Sequence, residues 1–329
     1  MRASDQGIEA LRGVAILLVV LFHAERFLPD DGFKTIQLFN DLMVPIRMPL
    51  FGAIAGFVYG MRPLERTYLP QFVRGKARRL LLPIISLCLM TWVLKMSPPF
   101  FEFPDRFTGA WRVFVYPSGH LWFPEALFFV FMLIALLERR KWLQTALVWN
   151  TITALGSLSF FLLQKPLDIL HGVPFSIGGA AYLFPFFLVG LGLQRFPEML
   201  ATNRTRWIAA TVTTAALGLL VLTLLNVVSI PHQRTSPLAF LIGVSAVVFA
   251  IQQRRPVRRL TAIGTFSYSI YLFHFFVIDF LDVNLAGAIS RHTVAGFVIG
   301  VSAGVLIPIV IQLALVRFRI PRLLFLGLK

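Results

Sequence analysis

Arg12 and His23 stand eleven residues apart in an apolar run that opens with Glu9. At about 100° per residue, eleven helical steps make three turns plus about 20°, so both side chains face one way, about 16 Å apart along the axis. An imidazole is the side chain matched to proton transfer near pH 7, and a guanidinium attracts anions. Glu9 lies one turn before Arg12, within pairing reach. A plainer reading stays open, in which Arg12 reaches for the membrane interface and His23 hydrogen-bonds to a neighbouring helix.

A second cluster, Arg74-Gly-Lys76-Ala-Arg78-Arg79, precedes Leu80-Leu-Leu-Pro83. Side-chain charge added to the free N–H groups of a helix N-terminus makes an anion or phosphate site, although anchoring of a cytoplasmic loop puts such clusters there too. A third group reads Gly119-His120-Leu-Trp122-Phe123-Pro124-Glu125, and Arg47 is expected at the same depth. An ion pair of Arg47 with Glu125 and an interfacial Trp122 are the alternatives. Ser267-Tyr268-Ser269-Ile270-Tyr271-Leu272-Phe273-His274 ends on an imidazole that is read as a packed histidine.

The surroundings make these groups conspicuous. Of 329 residues, 57% are hydrophobic, 33 are Phe and only 14% are charged. Globular chains sit near 45–50% apolar and about 25% charged, so a lipid-embedded protein is expected, and collagen, disorder and a disulfide scaffold are excluded. A charge near the bilayer centre costs at least about 2.5–3.5 kcal/mol, which makes every ionisable residue there a functional candidate. The net charge of +16 would suggest nucleic acid in a soluble protein. Here the basic residues fall in short clusters between apolar runs, so the expected partner is the lipid bilayer and not nucleic acid. Cys88 is the single cysteine, which leaves no disulfide or cysteine-based metal chemistry; no metal is expected.

Ten apolar segments are candidates to cross about 30 Å of hydrocarbon. They run 10–27, 43–61, 79–96, 120–137, 143–163, 180–195, 207–228, 238–251, 262–281 and 294–316, the sixth and eighth being short. With that assignment, one alternate set of loops holds 21 of the 31 Lys and Arg, the other holds 8, and Arg12 and Arg47 lie inside spans. The bias predicts an all-α polytopic membrane protein of about ten transmembrane helices with both termini cytoplasmic. Acidic Asp5 and Glu9 before the first run, and no small-residue cleavage pattern after it, favour a retained helix over a secretory signal. Residues 1–329 read as one membrane domain.

Taken together, these segments resemble membrane-bound acyltransferase family 3. Arg12 and His23 match its Arg, ten residues, His signature; Arg47-Met48-Pro49-Leu50-Phe51 through Gly56-Phe57 is similar to its second-span pattern. Lys76-Ala-Arg78-Arg79, His120-Leu-Trp122-Phe123 and Ser269-Ile-Tyr271-Leu-Phe-His274 resemble its third-span, fourth-span and late motifs, in that order. The third-span motif is met only loosely, as Lys76 with Arg79, and Pro124-Glu125 departs from the commonest fourth-span form. The resemblance implies transfer of an acyl group, usually acetyl from acetyl-CoA, to a hydroxyl of a cell-surface carbohydrate or glycolipid, in a multi-pass protein of a bacterial inner membrane. It implies donor binding by Arg12, Arg74, Lys76, Arg78 and Arg79, with His23 as general base or acyl-carrying nucleophile. Glu125 or His120 would orient the imidazole and Arg47 would stabilise the oxyanion. Outer loops 97–119 and 164–179 would shape the acceptor site, where Trp111 and Tyr116 either stack on sugar rings or anchor at the membrane interface. A succinyl donor, a transporter or flippase for an envelope precursor, and a structural subunit of a polysaccharide assembly machine are the competing readings.

Overall fold

The computed structural model describes residues 5–28, 34–61, 68–95, 115, 119–163, 174–284 and 294–329, and among these every regular element is helical. The first half comprises α1 (Gln6–Ala24), α2 (Lys34–Met61), α3 (Leu69–Lys76), a π-helical turn (Ala77–Leu81), α4 (Leu82–Lys95), α5 (Trp122–Arg139) and α6 (Ala146–Leu163). There follow α7 (Ile177–Arg195), α8 (Pro197–Leu200), α9 (Asn203–Leu224), α10 (Pro237–Gln252), α11 (Arg258–Thr265), α12 (Ser267–Asn284), α13 (Val294–Leu315) and α14 (Arg319–Leu326).

A helix overlaps each of the ten apolar segments, because run length and hydrophobicity are local properties of the chain. Length then separates them. Among the described residues, five helices are long and apolar enough to cross a membrane: α1 and α2, α7 with its leading turn, α9 and α13. A sixth arises if α11 and α12 count as one span, but they meet at a 73° bend, so the ninth segment is broken rather than straight. The sixth segment, short by sequence, extends over Pro174–Arg195 and is one of the five. The eighth stays short at 16 residues in α10, about 24 Å of helix. Apolar side chains such as Leu306 and Val310, more than 60% exposed on α13, suit a lipid-facing surface.

The chain forms two compact units, residues 1–62 with 186–310 and residues 63–185 with 311–329. In the first, α1 is set at its start by Asp5, whose Oδ1 accepts from the N–H groups of Gly7 (3.0 Å) and Ile8 (3.2 Å). Its Oδ2 accepts from Arg254 Nε at 3.0 Å, tying α1 to the end of α10. Glycines then bring α1 and α11 into backbone contact: a side chain at Gly13 would strike the Leu260 carbonyl, and one at Gly264 the Glu9 carbonyl. The same device joins α2 to the second half of α7, where Gly56 faces Phe187 and Gly190 faces Ala53. These contacts fix α1 and α2, which carry Arg12, His23 and Arg47, against α11 and the second half of α7.

In the second unit, the turn Ala77–Leu81 has a physical cause. Pro83 has no N–H for the Arg79 carbonyl, so the ladder widens and Leu82 N–H reaches back to Ala77. Elsewhere Trp122 packs under Gly179 and Tyr182 stacks on Phe160, with ring centroids 5.4 Å apart.

Candidate active site

The first unit pairs two histidines. His23 Nδ1 lies 2.9 Å from the Val19 carbonyl, and His274 Nδ1 lies 2.8 and 2.9 Å from the carbonyls of Ile270 and Tyr271. A carbonyl only accepts, so both Nδ1 atoms carry protons. His274 Nε2 stands 3.3 Å from His23 Nδ1 and accepts from it. Two facing N–H groups would repel, so this contact requires an unprotonated Nε2 on His274. His23 thus directs its Nδ1–H at two acceptors, and in the neutral ring the lone pair is on Nε2. Phe22 and Phe275 stand edge-on to the imidazole at 5.1 and 5.5 Å. His274 is fully buried on the other side of the pair. It is packed, as expected, and it also touches His23.

Charges surround the pair within the same unit. The Arg47 guanidinium is buried 3.8 Å from the centre of the Phe22 ring. Arg26, one turn beyond His23, donates to Asp279 at 2.9 Å and lies 3.9 Å from Asp282, both on α12. Asn40 donates to Glu25 at 2.6 Å. Towards the start of α1, Arg12 donates to Glu9 at 2.8 Å while its side chain stays 30% exposed. Arg12 and His23 share the single helix α1.

The second unit holds the remaining candidates. His120 and Glu125 are both buried, and Ser176 donates its hydroxyl proton to Glu125 at 2.7 Å. Arg74, Arg78 and Leu82 line a cavity of about 520 Å³. Lys76 is not among its lining residues; its ammonium sits 3.3 Å from the centre of the Phe131 ring. Arg79 is exposed at the π-helical turn. Trp111 and Tyr116 lie outside the described residues.

The family model described as an acyltransferase domain, that of acyltransferase family 3, matches residues 5–313, which take in α1, the third-span cluster and the His274 segment. The chain belongs to this acyltransferase family. Over 195 residues it is 26% identical to the nodulation protein NolL of Mesorhizobium japonicum, an overlap of 56% of this chain and 47% of that protein. The chain thus spans about half the length of the curated relative it matches. No solved structure matches it.

In this acyltransferase-family chain, several groups escaped the sequence reading. Asp279 as the partner of Arg26 and Ser176 as the partner of Glu125 are long-range pairings that spacing does not reveal. A signal existed for the first: Arg26 and Asp279 each close an apolar run that contains a histidine. Among the described residues no group of His, Cys, Asp and Glu could hold a metal ion.

Proposed function

We propose that the chain is an integral-membrane O-acyltransferase that moves an acetyl group from cytoplasmic acetyl-CoA to a hydroxyl of a cell-envelope polysaccharide, oligosaccharide or lipid-linked sugar. Ten spans and two cytoplasmic termini, in a bacterial inner membrane, complete the reading. The observation that carries it is the contact of His23 Nδ1 with the Val19 carbonyl at 2.9 Å and with His274 Nε2 at 3.3 Å, which turns Nε2 of His23 away from both. Its Nε2 is then the basic atom, and a neutral imidazole is suited to take a hydroxyl proton near neutral pH.

In the reaction, Nε2 takes the proton of the acceptor hydroxyl as its oxygen attacks the thioester carbonyl. The tetrahedral intermediate collapses, the carbon–sulfur bond breaks, and the departing CoA thiolate receives that proton from the imidazolium. The Arg47 guanidinium, held in an apolar setting against Phe22, is the group assigned to the oxyanion. Arg12, Arg74, Arg78 and Arg79 are assigned to the donor phosphates, with Lys76 adding positive potential from its seat on Phe131. Orientation of the imidazole, first expected of Glu125 or His120, goes to His274 instead. Glu125 with Ser176, and His120, are assigned to the acceptor side.

The test is detergent-purified protein with acetyl-CoA labelled in the acetyl group, wild type beside His23→Ala, with a panel of envelope glycans as acceptors. Loss of transfer in His23→Ala, with donor binding retained, is the expected result. Wild-type turnover in the variant removes His23 from the mechanism. Absence of acetyl-CoA binding by folded wild type redirects the assay to succinyl and other acyl-CoAs, then to transport.

A further inference from the structure

Helix α14 and the residues after it lie beyond the segment that the family model matches, 5–313, yet they build the far wall of the cavity at Arg74 and Arg78. Arg319, from the start of α14, and Lys329 bring two more cations, while Leu323 and Leu328 continue the apolar floor begun by Leu82. Among the described residues no carboxylate pairs with any of the four cations, although gathering four positive charges around one cavity is unfavourable without an anion.

The arrangement is held by a backbone lock. Gly327 ends α14 with φ 63°, a left-handed conformation that favours glycine, and its N–H bonds to Leu323 at 3.0 Å. A side chain at this glycine would strike the Arg78 carbonyl. Arg78 Nε in turn donates to the Gly327 carbonyl at 3.1 Å. One guanidinium edge of Arg78 thus fastens the tail to the π-helical turn, and the rest of its fork is left for a ligand.

We infer that α14 and its tail complete a polyphosphate site, in which Arg319 and Lys329 act with Arg74 and Arg78 on the phosphate groups of the nucleotide end of an acyl-CoA. The inference rests on the donor reading given above and assigns two residues to it that no family motif supplies. The charges match: coenzyme A carries a diphosphate and a ribose phosphate, about four negative charges near neutral pH. A cavity of about 520 Å³ also falls in the range of small-ligand sites. Anionic lipid headgroups share the phosphate chemistry, so the test separates the two sources.

The probe is unacylated coenzyme A, titrated calorimetrically into the protein in phosphatidylcholine nanodiscs. Arg319→Gln with Lys329→Gln changes two exposed side chains. The double variant is expected to bind coenzyme A at least about tenfold more weakly, with a shallower salt dependence. Equal binding by this variant, alongside loss in Arg78→Gln, overturns the part assigned to α14 while the donor reading stands. No binding by folded wild type overturns both. If the double variant differs from wild type only when phosphatidylglycerol is present, the four cations hold a lipid headgroup and the assignment to coenzyme A fails.

Discussion

His274 Nε2 accepts from His23 Nδ1 across 3.3 Å, although the two residues are 251 positions apart in the chain. Each ring also spends its Nδ1–H on a carbonyl of its own helix, one turn back: Val19 for His23, Ile270 and Tyr271 for His274. Two helices therefore share one chain of hydrogen bonds, and the direction of every bond is set by the carbonyls at its ends. Nε2 of His23 is the nitrogen that this direction leaves outside the chain of bonds.

The proposed mechanism makes His274 a positioning residue for His23. His274→Ala should lower kcat for acyl transfer by about 10 to 100-fold with little change in the KM for the donor, as expected when a catalytic ring loses its orientation. His274→Gln, which restores an acceptor, should recover part of the loss. Steady-state kinetics on folded, size-selected protein checks this. A fall in yield or thermal stability with unchanged kcat assigns His274 to packing alone.

The α1–α11 crossing depends on Gly264. A methyl group there meets the Glu9 carbonyl, so Gly264→Ala should destabilise the protein by about 1–3 kcal/mol and shift the helix that carries Arg12 and His23. Gly218, in α9, has nothing within 4 Å of the same position. Gly218→Ala should therefore be neutral or stabilise by about 0.5–1 kcal/mol through helix propensity. Thermal unfolding of the two variants in detergent decides, and equal behaviour of the pair would remove the crossing from the account.

Asp5 gives a pH dependence with a definite sign. Burial alone pushes its carboxyl up, but the hydrogen bond and charge of Arg254 and the N–H groups of Ile8 and Gly7 outweigh that and hold it below its ordinary value. A depressed folded-state pKa means stability that is present above the ordinary Asp range and lost as pH falls through the folded value. Asp5→Asn keeps the helix cap and loses the ion pair, so the wild-type advantage in Tm at neutral pH should close on acidification. Asp5→Ala should cost about 1 kcal/mol more, for the lost cap. A gap between wild type and Asp5→Asn that stays constant with pH counts against the Arg254 pair.

The candidate site was legible in the sequence to the extent that its residues were costly. An imidazole or guanidinium in an apolar run must have a compensating partner, so His23, Arg47 and Glu125 stood out by type and place. Their partners did not. Ser176 beside Glu125 and Asp279 beside Arg26 are ordinary residues until packing brings them near. Lys76 shows the reverse case, a basic residue counted with the donor cluster whose ammonium the structure seats on Phe131.

Sequence alone determined that the chain is helical and suited to lipid, where its helices lie, and which side chains pay for being there. All three follow from hydrophobicity and run length, which are written along the chain. Tertiary structure alone decided that His274 meets His23, that the α11–α12 segment bends by 73°, and that Arg319 and Lys329 line one cavity with Arg74 and Arg78. Each of these depends on which helix faces which, and that is settled by small-residue contacts such as Gly13 on Leu260 and Gly327 on Arg78. A glycine in a sequence shows that a close approach is possible, while the backbone it approaches is known only once the helices have packed.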